Sequence, residues 1–186
     1  TTVVIAGRTA EAANEAQDIF QTSYFRIYTS TDIVGVELGG ALKNVVALAA
    51  GIVSGLGYGH NTIAAVITRG LAEITRLGVA MGSDRATFSG LAGIGDLLLT
   101  CTGDLSRNRT VGYRLGQGES LQEILSDMKA VAEGVKTTES VYELAKNCGV
   151  EMPIVEQVYG VLNNAVKPED ALEMLMLREP TSEEWQ

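Results

Sequence analysis

Everything that reads as β-strand lies in the first thirty residues, and everything after Asp32 reads as helix. Residues 1–7 (TTVVIAG) form a short apolar, β-branched run, and residues 25–28 (FRIY) form a second. Between them residues 11–20 have helical spacing. Strand, helix, strand is the signature of an α/β layer. One such unit cannot bury its own two faces, so it is expected to be the tail of a larger sheet. The chain opens on Thr1 inside strand-like sequence, as expected of a domain cut from a longer protein.

The remainder is expected to be all-helical. A helix is predicted over 36–54, with Gly39 and Gly40 near its start. After a Gly-rich loop (Gly55, Gly57, Gly59), Asn61 is expected to cap a helix reaching about Met81. Its apolar positions Ile63, Val66, Ile67, Leu71, Ile74 and Leu77 fall at helical spacing. A short helix is predicted from Ser83 or Asp84, and another from Gly95-Asp96 through Leu99. Ser106 is placed to cap a helix ending near Gly116 or Gly118. Ser120 and Glu123 form a capping box, and Pro153 and Pro168 suit the first turns of the last two helices. Aromatics are only 5% of residues against 21 Gly, so these helices are expected to pack closely through small side chains. The boundary is drawn at 1–33 for the α/β remnant and 34–186 for the helical domain.

Charge and absences narrow the chemistry. A net charge of −9 disfavours broad attraction to nucleic acid or anionic membrane. No uninterrupted apolar run reaches the roughly 18 residues of a membrane span. Cys101 and Cys148 are far apart and form no C-x-x-C, so two reduced, buried thiols in a cytoplasmic protein are expected. His60 is the one histidine, which argues against a His triad or a His-rich metal site. Neither G-x-G-x-x-G nor a P-loop occurs, so proton transfer falls to Lys, Asp, Glu, Tyr or Cys.

Four places remain. Lys43 has Gly39, Gly40, Val46 and Ala47 three and four residues away on its helix, a small apolar face that another backbone can approach. An ammonium held there is partly desolvated and becomes a usable base; alternatively its stem carries the head to water. Asp96, after Gly93 and Gly95, is either a helix cap or a carboxylate that holds a lysine or a substrate hydroxyl. The run SRNR (106–109) puts Arg107 and Arg109 at a helix start, suited to a phosphate or simply solvated. Glu133 in VAEG (131–134) either receives a ribose or opens the next helix.

The runs VGVELGGALKNV (34–45), TRGLAE (68–73), GLAGIGDL (90–97) and SRNR (106–109) occur in that order, followed by Ala132-Glu133-Gly134. Together they resemble the C-terminal domain of NAD(P)-dependent glycerol-3-phosphate dehydrogenases, and Ser106 before Arg107 is similar to the bacterial form. The likeness runs from the first strand to near Leu177. It implies a mainly α fold, a 6-phosphogluconate-dehydrogenase-like helical C-terminal domain behind a β-α-β remnant of a Rossmann sheet. It further implies that Lys43 is the general base and acid, with Asp96 beside it. Ser106, Arg107 and Asn108 would bind substrate, Arg107 also the cofactor, and Val131 and Glu133 the cofactor. Asn44 and Thr100 would support them. The implied reaction is reversible hydride transfer between NAD or NADP and the glycerol 3-phosphate/dihydroxyacetone phosphate pair, supplying phospholipid synthesis, in a homodimer. The family's nucleotide fingerprint and N-terminal lysine are not among these residues, so the chain alone is expected to be inactive. A β-hydroxyacid or 6-phosphogluconate-type dehydrogenase would carry Asn four residues after the lysine, where this chain has Ala47. A non-catalytic helical dimerisation module would not need Lys43, Asp96 and Ser106-Arg107-Asn108 together.

Overall fold

The computed structural model describes residues 1–128 and 132–179. Strands β1 (Thr2–Ala6) and β2 (Arg26–Ser30) pair in parallel, Thr2 opposite Arg26 and Ala6 opposite Ser30. Parallel strands need a crossover, and helix α1 (Ala10–Phe20) supplies it. Ala13 and Ile27 are buried where α1 crosses the sheet, and Gln17 Nε2 donates to the Ile27 carbonyl at 2.7 Å. The unit leaves Ile19, Phe20, Tyr24 and Tyr28 exposed.

Beyond β2 the described residues are helical: α2 (Ile33–Gly55), α3 (His60–Ala80), α4 (Asp96–Thr102), α5 (Arg107–Gly116), α6 (Leu121–Asp127), α7 (Glu133–Cys148), α8 (Pro153–Leu162) and α9 (Pro168–Met176). Helix α2 runs through the middle, with 45–53 buried without a break. It starts three residues before the predicted boundary, because Asp32 caps it through the amide of Gly35 at 2.9 Å. By length and composition α2 could cross a membrane, which counting uninterrupted apolar runs missed. Here it is the core of a helical bundle.

The small residues explain how it is enclosed. Gly51 and Gly55 on α2 face Gly112 and Gly116 on α5. A Cβ at Gly51 would strike the Arg109 carbonyl, one at Gly55 that of Tyr113, one at Gly112 that of Leu48, and one at Gly116 that of Ile52. The two backbones touch, which no larger residue permits. Helices α7 and α8 meet through a stacked pair, Tyr142 and Tyr159, with centroids 4.1 Å apart.

Caps fall largely where the sequence puts them. Ser106 receives the Arg109 amide, Ser120 and Glu123 close the capping box, and Pro153 and Pro168 sit in first turns. Asn61 does not cap α3: Gly59 holds that position, and its carbonyl accepts from the amides of Thr62 and Ile63. Asp84, not Ser83, caps the 3₁₀ turn Arg85–Ser89. Helix α8 is capped by another element. Pro153 has no N–H, and the next two amides, Ile154 and Val155, donate to the buried carboxyl of Glu73 on α3 at 2.8 and 3.3 Å. Cys101 is buried, and burial pushes its thiol up to about 12; Cys148, expected inside, is exposed near the end of α7.

Candidate active site

Lys43 lies on the third turn of α2, and Asp96 is the first residue of α4, fifty-three positions later. They meet in an ion pair between Nζ and Oδ2, with 23% and 35% of the side chains exposed. Helical spacing leaves Lys43 a choice between a dry amine and a solvated head; the fold gives it a carboxylate. Asp96 likewise turns toward Lys43 rather than capping its own helix, and Thr100 Oγ1 donates to the Asp96 carbonyl at 2.6 Å.

Glycines make this meeting possible. The five residues before Asp96 form a π-helical turn, Leu91–Gly95, kinked at Gly93. The Ala92 carbonyl lies against Gly39 of α2, where any Cβ would strike it, and a Cβ at Gly93 would enter the Phe88 backbone. The close approach expected beside Lys43 is therefore made at Gly39, while Gly40 faces open space.

The next residue, Asn44, is buried and accepts at Oδ1 from Asn108 Nδ2 at 2.9 Å. Asn108 Oδ1 in turn accepts from the amide of Gly134 at 2.9 Å. A Cβ at Gly134 would lie 2.8 Å from both Asn108 Oδ1 and the Asn44 carbonyl. One side-chain amide thus ties α2 to the first turns of α5 and α7. Asn108's neighbour Arg107 and Gly134's neighbour Glu133 are both exposed beside this tie, each the first residue of its helix. The two arginines of SRNR differ. Arg109 reaches Asp104 at 3.3 Å, while Arg107 makes no ion pair among the described residues. Val131 lies outside the described residues. The bridge Asn44–Asn108–Gly134 has no signature in local spacing; its nearest trace is an Asn directly after Lys43.

The same fold occurs in dehydrogenases of known structure. Glycerol-3-phosphate dehydrogenase from Coxiella burnetii superposes with a TM-score of 0.92 at 39% identity, over 96% of this chain and 55% of that one. The enzyme from Saccharomyces cerevisiae gives 0.85 at 30%, over 94% and 54%. Among curated sequences, glycerol-3-phosphate dehydrogenase [NAD(P)+] from Geobacter metallireducens is 63% identical over 183 residues, 98% of this chain and 55% of its own length. Residues 32–173 match the family described as NAD-dependent glycerol-3-phosphate dehydrogenase C-terminus, and the chain belongs to it. That membership removes the 6-phosphogluconate-type alternative. The chain spans about half the length of the curated relatives it matches.

Proposed function

We propose that these residues form the substrate half of an NAD(P)-dependent glycerol-3-phosphate dehydrogenase, acting on dihydroxyacetone phosphate and sn-glycerol 3-phosphate. The observation that carries the reading is the Lys43–Asp96 pair, whose neighbour Asn44 is bonded to Asn108 in the first turn of α5.

In reduction, the substrate ketone lies at Lys43 Nζ. The ammonium gives its proton to the C2 oxygen as that carbon receives hydride, and Asp96 holds the lysine in line. Oxidation runs the same path backwards, with Lys43 taking the hydroxyl proton. The substrate phosphate is held at the start of α5, where free amides and the helix dipole favour an anion and Arg107 adds its guanidinium. Ser106 lies at the same helix start. Asn108 has one amide hydrogen left for a substrate oxygen after its bond to Asn44.

Residues for the edge of a nucleotide are present: Arg107 and Glu133 are exposed on adjoining helix starts, a cation for phosphate and a carboxylate for ribose hydroxyls. Val131 belongs to the same proposed contact. Bound there, NAD or NADP supplies or accepts the hydride. The Rossmann assignment of 1–33, the helical domain over 34–186, homodimer assembly through the helices, and a cytoplasmic setting with reduced thiols complete the proposal. Its support is the family and the close-packed helical body.

The test follows NAD(P)H oxidation with dihydroxyacetone phosphate in a protein of the relatives' full length containing these residues, beside this chain alone. Turnover by the longer protein only is the expected result. A folded longer protein with no turnover would overturn the reading and leave a helical dimerisation module. Light scattering that gives a monomer over a wide concentration range would remove the dimer.

A further inference from the structure

Asp32 lies between β2 and α2 as the cap of α2, and its carboxylate gathers four donors. Oδ1 accepts from the Gly35 amide at 2.9 Å. Oδ2 accepts from Ser83 Oγ and Thr87 Oγ1, each at 2.6 Å, and from the Asp84 amide at 3.0 Å. A helix cap needs only the first bond. The other three reach across more than fifty residues to the turn that follows α3. Gly35 is glycine at this point because a Cβ would strike Ser83 Oγ and the Asp32 carboxylate.

The turn held in this way leads to Asp96. Asp84 Oδ1 starts the 3₁₀ turn Arg85–Ser89 through the Ala86 amide, and Phe88 is buried against Gly78. Gly93 closes on the Phe88 backbone, and Ala92 rests on Gly39. Asp96 follows. Asp32 and Lys43 belong to the same helix, eleven residues or roughly 16 Å apart at 1.5 Å per residue. The path from the α2 cap through 83–95 to Asp96, across to Lys43 and back along α2 is therefore a closed loop. Two of its joints are made by carboxylates.

We infer that Asp32 is a positioning residue for the Lys43–Asp96 pair: by clasping Ser83, Asp84 and Thr87 to the start of α2, it sets where the 83–95 segment delivers the Asp96 carboxylate. Partial burial alone would raise the Asp32 carboxyl, but the Ser83 and Thr87 hydroxyls and the Gly35 and Asp84 amides hold it below the usual range. It is thus the ionised acceptor that such a clasp requires. The inference rests on the proposed function for its kinetic consequence, and on geometry alone for its structural one.

The test uses Ser83→Ala with Thr87→Val in a protein of the relatives' full length containing these residues, which removes both hydroxyl bonds of the clasp and leaves Asp32 to cap α2 and to hold only the Asp84 amide; Thr87→Val alone is the milder variant. Displacing a catalytic group by a fraction of its length costs about 10–100-fold, so kcat is expected to fall by that much. The KM for dihydroxyacetone phosphate should shift less than about twofold, because the α5 site is untouched. In an Asp96→Asn background the same pair should cost less than about twofold, since there is no carboxylate left to place. Hydrogen exchange at the amides of Gly90, Gly93 and Gly95 should quicken at least about tenfold. Unchanged kcat, or equal losses in both backgrounds, overturns the inference. If the unsubstituted protein shows no turnover, the proposed function fails and exchange alone decides. Faster exchange at those three amides then sustains the clasp, and unchanged exchange overturns it.

Discussion

Lys43 and Glu73 show what the surroundings of one side chain decide. General acid–base catalysis by a placed side chain contributes about 10²–10⁴-fold, so Lys43→Ala is expected to lower kcat by that factor, read as dihydroxyacetone-phosphate-dependent NAD(P)H oxidation. Lys43→Arg should not restore it, because a guanidinium keeps its proton throughout the working range; near-normal turnover by either variant would remove Lys43 from the mechanism. Glu73 makes a different prediction. Burial pushes its carboxyl up to about 7, against the two α8 amides and Arg76 that pull the other way. The folded state then binds the extra proton between the unfolded value of 4.5 and about 7. The associated stability is full below that window and is lost as pH rises through 7, a swing on the order of 3 kcal/mol. Urea unfolding from pH 5 to 8 should show stability falling with pH, and Glu73→Gln should flatten that slope. A slope left unchanged by the substitution would mean that Glu73 titrates normally.

At the scale of elements, the crossing of α2 and α5 is the most exacting contact. Gly112→Ala gains up to about 1 kcal/mol of helix propensity but drives a methyl into the Leu48 carbonyl. Neither backbone can yield, so a net loss of about 1–3 kcal/mol in denaturant unfolding is expected. Gly40→Ala has nothing within 4 Å to meet and should keep the propensity gain; a loss there as large as at Gly112 would refute the packing argument. This contrast also shows what a sequence discloses. Helix caps such as Ser106 and Ser120, prolines in first turns, and the apolar stripe of α3 depend on neighbours three or four residues away, and local spacing carries them. The same reasoning marked Lys43's small face but not its partner, because Asp96 is fifty-three residues distant. Asn44 and Asn108 are sixty-four apart, and Glu73 and Ile154 eighty-one. Such pairings are written in the fold. What brought Lys43, Asp96 and Asn108 together beforehand was family resemblance, and it carried neither the Glu73 cap nor the Asp32 clasp.

At the scale of the whole molecule, the two parts differ in what they can bury. The helical body encloses an unbroken stretch of α2 among α3, α5, α7 and α8 and has a core of its own. Among the described residues the β1-α1-β2 unit buries little beyond Ala13 and Ile27, and each strand pairs on one edge only. A single two-stranded sheet is marginally stable in water, because its edges and one face stay wet. Local opening should therefore differ sharply between the parts. In this chain alone, amides of Val3 to Ile5 and Ile27 to Thr29 are expected to exchange at least about 100-fold faster than those of 45–53. In a protein of the relatives' full length, strands laid against these edges would slow the same amides toward the helical rates, while α2 would change little. Equal protection of the strands in both proteins would show that the β1-α1-β2 unit is held by the helical body itself. The sheet would then be an appendage of this domain rather than the margin of another.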